Sequence, residues 1–329
     1  MSYHHTHKIS IIIALGAIAL LLASLFSSPT PNLPKIAIAN YGPHASLQET
    51  IQGIKDQLEY LGFKEGHQIV FEITDVNFES TLIPQMLSKL KASNPKVVVA
   101  MTTPVAQGAK TSIRNIPIIF SDITDPVEAG LLATANQPEV NLTGASDRQD
   151  LNLFIKFAKQ LLPNANRIGL LYATGEANDL ALVKMMQKAA KANNFEVVSI
   201  PVEHARDIPM RMQAFKYKVD LIYVGVSGPI QPSLPTIVSE ADRMKIPVFN
   251  ADSDAVKKHY VLGSFGVSYY QVGVNTANII VQILNGEKVN SINPVYPSSS
   301  DHHGFISQKK AKQLGLTLPT SLQNITIVE

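Results

Sequence analysis

Two adjacent threonines, Thr102 and Thr103, separate an apolar run from a proline. The run Val97-Val98-Val99-Ala100 lacks polar alternation, which is typical of a strand covered on both faces. Thr103 suits a helix N-cap and Pro104 the first helical position, where a missing N–H costs nothing. A strand that turns directly into a helix leaves unpaired N–H groups and two hydroxyls at the edge of a sheet. Such an edge favours an anion, for example a carboxylate, although a capped helix without any ligand is an equal alternative.

The composition bounds the classes of protein to consider. The chain has 329 residues, of which 45% are hydrophobic and 16% charged. This is enough for two domains, since single cores stop growing near about 250 residues. A formal net charge of +2 without a Lys/Arg block argues against nucleic acid as a partner. The absence of cysteine excludes disulfides, thiol nucleophiles, thiolate metal sites and a lipid-modified N-terminal cysteine.

The amino terminus predicts export. His4, His5, His7 and Lys8 precede an uninterrupted apolar run over residues 9–26, and a Ser/Pro-rich linker follows. The run is long enough to remain as a membrane anchor, and a cleaved signal peptide is the equal alternative. In both cases the folded part begins near Pro34 and is expected in the periplasm or another extracytoplasmic space.

Strand and helix patterns alternate twice along the folded part. The first series covers roughly 110 residues after Pro34 and predicts a doubly wound parallel sheet. The second series starts at Leu151. Each series contains an Ile-Pro strand that ends in a carboxylate cluster, Ile116-Pro117 leading to Asp122 and Ile246-Pro247 leading to Asp252. We therefore expect two similar α/β lobes whose carboxyl-end sheet edges face one another across a ligand cleft.

Three chain crossings are expected between the lobes, near residues 146, 264 and 300. Residues 1–33 then form the signal peptide or anchor with its linker. The N-terminal lobe comprises 34–145 and 264–299, and the C-terminal lobe comprises 146–263 and 300–329. Several crossings suit a hinge that closes over a ligand.

The order and spacing of six segments resemble those of bacterial ABC transporter substrate-binding proteins of the tryptophan/tyrosine type, which have the type 1 periplasmic-binding fold. The segments are Ala100 to Gln107, Thr124 to Leu131, Asn141 to Asp147, Leu162 to Tyr172, Gly175 to Asn178, and Ile246 to Asp254. The resemblance covers about residues 35–320. It implies a receptor that delivers a small molecule, often an amino acid with an apolar or aromatic side chain, to an ABC permease in the cytoplasmic membrane. The loop Gly225 to Pro229 departs from the family's usual Asp- or Asn-bearing loop, and the usual lipoprotein cysteine is absent.

An α-amino acid needs an anion cradle, a partner for its ammonium and a wall for its side chain. Given the resemblance, Thr102 and Thr103 are the expected carboxylate cradle. Asp252 and Asp254 are candidates for the ammonium, since a carboxylate is its natural partner. For one of these two, we expect simple N-capping of the following helix instead. Asp122 is a further candidate for the cleft lining.

The remaining candidates each have a structural alternative. Asn178 could bond to the ligand or cap the helix that follows. Tyr41 and Phe265 are possible apolar walls, although aromatic residues in such positions are more often core. For His302 and His303, a hinge or surface role is favoured over metal binding, and we expect neither a metal nor a cofactor.

Three classes of function follow. The first is a non-enzymatic binding component of an importer. The second is a membrane-tethered ligand sensor, which an uncleaved 9–26 helix would favour. The third is a hydrolase that uses cleft carboxylates. It is the weakest, because the sequence lacks Gly-x-Ser-x-Gly, phosphate-loop, Gly-x-Gly-x-x-Gly and His-Glu-x-x-His motifs.

Overall fold

The amino-terminal series of strands forms a wholly parallel sheet. The structure is a computed structural model that describes residues 33–319 and 325–329. The strands of this first sheet are β1 (Lys35–Asn40), β2 (Val70–Asp75), β3 (Val97–Met101), β4 (Ile118–Ile123) and β5 (Leu142–Ser146). They lie in the order β2-β1-β3-β4-β5. Every residue of β3, β4 and β5 is buried, as expected for strands covered on both faces.

The second series forms a mixed sheet. Its strands are β6 (Arg167–Ala173), β7 (Glu196–Val202), β8 (Leu221–Val224), β9 (Val248–Asn250), β10 (Gly263–Val267), β11 (His302–Ser307) and β12 (Ile325–Val328). The order is β12-β11-β10-β9-β8-β6-β7, and only β10 and β11 are antiparallel neighbours among these strands. The antiparallel pair marks the place where the chain returns from the first lobe.

Helices cover both faces of each sheet. They are α1 (Ala45–Tyr60), α2 (Ile83–Ala92), α3 (Thr103–Ser112), α4 (Leu151–Leu161), α5 (Ala177–Ala192), α6 (Ile208–Met212), α7 (Leu234–Met244), α8 (Asp254–Lys257), α9 (Tyr269–Leu284) and α10 (Gln308–Gln313). In α1, Leu47, Ile51, Ile54 and Leu58 recur at helical spacing and are buried. They pack with residues of β1, β3 and α9, and a separate core that includes Leu87 lies on the opposite face of the sheet.

Two glycines let α1 and α9 approach closely. A Cβ atom built on Gly53 would lie 2.2 Å from the Tyr270 carbonyl oxygen, and one on Gly273 would lie 2.1 Å from the Thr50 carbonyl oxygen. Neither position therefore tolerates a side chain without a backbone shift. The close approach brings Thr50 within hydrogen-bonding distance, 3.2 Å, of the Tyr269 carbonyl oxygen.

The chain connects the two sheets in three places. The first connection follows β5, and the third lies between Val295, which bridges to Ala145, and β11. The second differs from the expected position at residue 264, because that residue lies inside β10 and pairs with β9 and β11. The connection falls instead at Ser268, which caps α9.

The structure confirms the predicted α/β class with two parallel-sheet lobes. The strands β5, β11 and β12 were not predicted as strands, since Gly144, the histidines and the short length of β12 weaken the strand pattern. The predicted export segment, residues 9–26, lies outside the described residues. Within the described ranges, no helix has the length and apolarity needed to cross a membrane.

Candidate functional site

A cavity of about 520 Å³ that is open to solvent lies at the carboxyl ends of strands from both sheets. In the first sheet, β1 lies between β2 and β3, and in the second, β6 lies between β7 and β8. These are the points where strand order reverses, and open α/β sheets bind their ligands there. Both lobes thus contribute their expected binding edge to one cavity.

The lining joins residues that lie at the end of eight different strands or in the segment that follows them. From the first sheet and its helices come Tyr41, His44, Ser46, Leu47, Phe78, Thr102, Thr103, Pro104, Asp122 and Thr124. The remaining residues, which follow β5, β6, β8 and β10, are Asp147, Glu176, Asn178, Val226, Ser227, Gly228, Gln231 and Tyr269. No lysine or arginine stands among these lining residues, so a carboxylate guest would rely on hydroxyls and backbone N–H groups.

The two threonines provide such an anion-binding edge. Helix α3 begins at Thr103, one residue earlier than predicted, and neither threonine side chain makes a capping hydrogen bond. Both Oγ1 atoms are buried and lack a hydrogen-bond partner within the described chain. Thr102 has φ 74° and ψ 157°, a backbone region that is essentially restricted to glycine. The capping-only alternative therefore does not account for these hydroxyls, whereas an anion at the start of α3 would satisfy them.

Two carboxylates lie beside the threonines. Asp122 is buried and accepts a hydrogen bond from Thr50 Oγ1 at 2.7 Å. Burial, followed by the charge of Asp147, raises the pKa of Asp122 to about 8. Burial likewise raises the pKa of Asp147 to about 6. Asp122 Oδ2 and Asp147 Oδ1 have no hydrogen-bond partner among the described residues. A buried carboxyl pair without a cation is costly to ionise, and an ammonium group would stabilise its ionised form.

A third carboxylate, that of Glu176, stands on the second lobe. It follows β6 and is 8% exposed. It accepts hydrogen bonds from the Tyr41 hydroxyl at 3.3 Å, from the Gly228 N–H at 3.2 Å and from Asn178 Nδ2 at 3.2 Å. Burial raises its pKa. Because Tyr41 follows β1, this contact joins the two lobes across the cavity.

Charged pairs at the rim also join the lobes. Lys184 of α5 contacts Glu128 at 2.5 Å, and Lys257 of α8 contacts Glu49 of α1 at 3.9 Å. These side chains are largely exposed, so each pair contributes little to stability. The lobes therefore contact each other both inside the cavity and at its rim.

Five of the expected site residues line this cavity: Tyr41, Thr102, Thr103, Asp122 and Asn178. Asn178 does not cap α5, since its Nδ2 donates to Glu176, and its Oδ1 is buried without a partner in the described structure. Tyr41 is both wall and hydrogen-bond donor. Its ring meets Phe78 edge-on, with the ring centroids 5.7 Å apart.

Three expected residues do not line the cavity. Asp252 Oδ1 accepts the Asp254 N–H at 2.9 Å just before α8, whose N-cap is Ser253. Asp254 pairs with Lys258 at 2.6 Å. Phe265 packs on Phe157 and stacks on His302, so it belongs to the second lobe's core. Asp252 lies 4.0 Å from His44, which lines the cavity.

Asp147 and Glu176 were missed by reasoning from residue types. Both lie within segments that carry the family resemblance, Asn141 to Asp147 and Gly175 to Asn178, but neither was singled out there. His302 accepts the Asp150 N–H and contacts the Ser298 carbonyl oxygen, and His303 contacts Thr326 Oγ1. Within the described ranges, no group of three or more His, Asp or Glu side chains is arranged to hold a metal ion.

A cleft between two lobes, lined by unpartnered threonine hydroxyls of the first lobe and by the buried carboxylate of Glu176 on the second, defines a two-lobed binding protein. The model of the family described as ABC transporter substrate binding protein matches residues 35–326. The chain belongs to this family.

Three relatives are informative. A tyrosine-binding protein of Clostridioides difficile is 29% identical over 257 residues, which are 78% of this chain and 74% of that protein. An ABC domain from Streptococcus pneumoniae, solved in complex with L-Trp, is 29% identical, with a TM-score of 0.85. The match covers 91% of this chain and 100% of that domain. A conserved domain protein from Vibrio cholerae is 30% identical, also with a TM-score of 0.85. That match likewise covers 91% of this chain and 100% of the other protein.

Proposed function

We propose that this protein is the extracytoplasmic substrate-binding component of an ABC importer and that its ligand is an amino acid with an apolar or aromatic side chain. One observation carries the proposal. The same cavity is lined by two threonine hydroxyls at the start of α3 and by two buried carboxyls, and among the described residues the hydroxyls have no hydrogen-bond partner and the lining includes no lysine or arginine. This pairing matches the carboxylate and ammonium groups of an α-amino acid.

In this arrangement Thr102, Thr103 and the first N–H groups of α3 hold the ligand carboxylate. Asp122 and Asp147 hold the ammonium, in place of the Asp252 and Asp254 expected from the sequence. The tyrosine-binding and L-Trp-bound relatives support an aromatic amino acid as the ligand. Tyr41 and Phe78 supply aromatic surface on which such a side chain can pack.

The direct test is calorimetry with tryptophan, tyrosine and phenylalanine, each compared with its decarboxylated and its N-acetylated analogue. Both analogues should bind at least about 30-fold more weakly, since loss of one partner of a buried charged hydrogen bond costs about 2–5 kcal/mol. Equal binding of amino acid and analogues would refute this placement of the groups. Mass spectrometry of small molecules released on denaturation tests the ligand class independently.

The protein acts, in this proposal, without catalysis. The cavity carboxyls are held by Thr50, Asn178 and backbone N–H groups, and they stand beside threonine hydroxyls that no general base contacts in the described structure. Incubation with amino-acid amides and esters should therefore leave them intact. Hydrolysis that is lost in Asp122→Asn would favour the hydrolase alternative.

The apolar run at residues 9–26 supports delivery to the outer face of the cytoplasmic membrane, where a permease would receive the ligand. Fractionation of cells that express the full chain should find it outside the cytoplasm. A chain that starts at residue 34 should remain inside the cell. Ligand uptake that depends on the chain and on a permease would separate an importer component from a sensor.

A further inference from the structure

The carboxylate of Glu176 is not fully used by its protein partners. A carboxylate can accept about four hydrogen bonds. Glu176 Oε2 accepts two, from Gly228 N–H and Asn178 Nδ2, whereas Oε1 accepts only the Tyr41 hydroxyl. All three contacts measure 3.2–3.3 Å, longer than the 2.7–2.9 Å typical of charge-assisted N–H···O bonds. Acceptor capacity thus remains on a buried charge that lines the cavity.

Aromatic and apolar side chains line the cavity near Glu176. Tyr41 and Phe78 meet edge-on beside it, and Val226 adds apolar surface. A Cβ atom on Gly228 would lie 2.5 Å from Glu176 Oε1 and 2.6 Å from Tyr41 Cε1. Any larger residue at this position would displace both groups, so glycine keeps the carboxylate and the aromatic wall together.

Glu176 is also separate from the groups assigned to the ligand's amino-acid head. Asp122 and the threonines stand on the first lobe, whereas Glu176 follows β6 on the second. No hydrogen bond in the described chain links Glu176 to Asp122, Asp147 or either threonine. A ligand held at its head by the first lobe would extend its side chain toward the second.

We propose that Glu176 determines side-chain specificity by accepting a hydrogen bond from an N–H or O–H group on the ligand's aromatic ring. The inference rests on the proposed function and names its substrate class: amino acids with an indole or phenol side chain, in preference to phenyl. A phenyl side chain has no N–H or O–H group to donate. It would shield the free lone pair of the Glu176 carboxylate from water without giving it a hydrogen bond in return, and this lowers the affinity.

The test compares ligands that differ in one donor. Tryptophan is paired with 3-benzothienylalanine, in which sulfur replaces the indole N–H, and tyrosine is paired with phenylalanine. Calorimetry on the wild-type protein should show the donor-bearing member of each pair binding about 10- to 100-fold more tightly, as expected for a hydrogen bond to a charged acceptor. Equal affinities within both pairs would overturn the inference and leave the proposed function standing. Failure of all four ligands to bind would overturn the proposed function itself.

Two variants separate recognition from lobe closure. Glu176→Gln keeps the shape but removes the charge, and it should reduce the preference within each pair by at least about threefold. Tyr41→Phe removes the hydrogen bond from Tyr41 to Glu176 that joins the lobes and should weaken both members of a pair equally. A preference that persists unchanged in Glu176→Gln would show that Glu176 serves only closure. The wild-type ratio needs no variant, so the inference stays testable if Glu176→Gln folds poorly.

Discussion

Thr102 and Asp122 both adopt positive φ, 74° and 58°, at the carboxyl ends of the neighbouring strands β3 and β4. The Thr102 N–H donates to the carbonyl oxygen of Ser121, the residue directly before Asp122, at 2.9 Å. The register of β4 against β5 shifts between Ser121 and Ile123, so Asp122 lies at a bulge. Strain of this kind persists only where surrounding contacts impose it, and here it aims two polar side chains into one cavity.

Thr102→Gly should therefore change stability and affinity in opposite directions. Glycine relieves the backbone strain, so the ligand-free protein should gain up to about 1–3 kcal/mol in free energy of unfolding, less the cost of a more flexible unfolded chain. Loss of the hydroxyl should weaken amino-acid binding by about 3- to 10-fold. Denaturant titration and calorimetry measure the two effects. Thr102→Ser keeps both hydroxyl and strain and is the control. A glycine variant that is less stable than wild type would contradict the role of strain.

The stability of the ligand-free protein should fall as pH rises from about 4 to about 8. Unfolded Asp122 ionises near pH 4, but the native carboxyl keeps its proton until about pH 8. Between these values the native state binds more protons, so its stability decreases with pH, by at most about 1.4 kcal/mol per pH unit for one group. Asp122→Asn should flatten this part of the profile in urea titrations.

Asp220 offers a control of opposite sign. Arg167 and two backbone N–H groups lower the pKa of Asp220. Asp220 therefore stabilises the folded protein at pH values above the pKa of the unfolded chain, and this stabilisation is lost in acid. Asp220→Asn should alter the profile below about pH 4 and leave the slope between pH 4 and 8 intact. An unchanged neutral slope in Asp122→Asn would contradict a protonated Asp122 in the empty cleft.

Gly273→Ala should destabilise the fold, because its methyl group would collide with the Thr50 carbonyl oxygen of α1. Overpacking of this kind costs typically about 1–3 kcal/mol, and displacement of Thr50 would also loosen its hydrogen bond to Asp122. Thermal unfolding and calorimetry should show both losses. Gly175→Ala is the matched control, since nothing lies within 4 Å of its added Cβ. Equal melting temperatures for the two variants would mean that the helices do not pack this tightly.

Substitutions of Asp122 and of Asp254 should differ sharply in their effect on the affinity for the amino acid. Asp122→Asn removes a proposed ammonium partner and should weaken amino-acid binding by about 30-fold or more. Asp254→Asn breaks only a partly exposed pair with Lys258, so affinity should stay within about threefold of wild type. Calorimetry at one pH compares them directly, and the reverse ranking would restore the assignment expected from the sequence.

This contrast shows where sequence reasoning succeeded and where it stopped. Periodicity and the Ile-Pro repeats correctly predicted two α/β lobes, and they drew attention to Asp122 and Asp252 alike. The two aspartates differ in backbone: Asp122 lies inside β4 at a bulge, whereas Asp252 follows the three-residue β9 and accepts the N–H of Asp254, two residues further on. No residue pattern distinguishes these conformations, because they depend on strand length and register.

The same limit applies to Phe265 and Glu176. Apolar residues cover both faces of the second sheet, so alternation could not tell whether Phe265 faced the cleft or helix α4. Glu176 sits in a loop, where side-chain direction is set by distant partners such as Tyr41 and Gly228. The family-like segments enclosed Glu176 and Asp147, but only the folded chain shows them converging on one cavity.

The division of the cavity between lobes has a further consequence. In the proposed arrangement, Thr102 and Asp122 hold the ligand's head on one lobe, and Glu176 stands on the other lobe. A molecule too short to reach from one lobe to the other would then contact a single lobe. Under this proposal the cleft would select its ligand by molecular length as well as by functional groups.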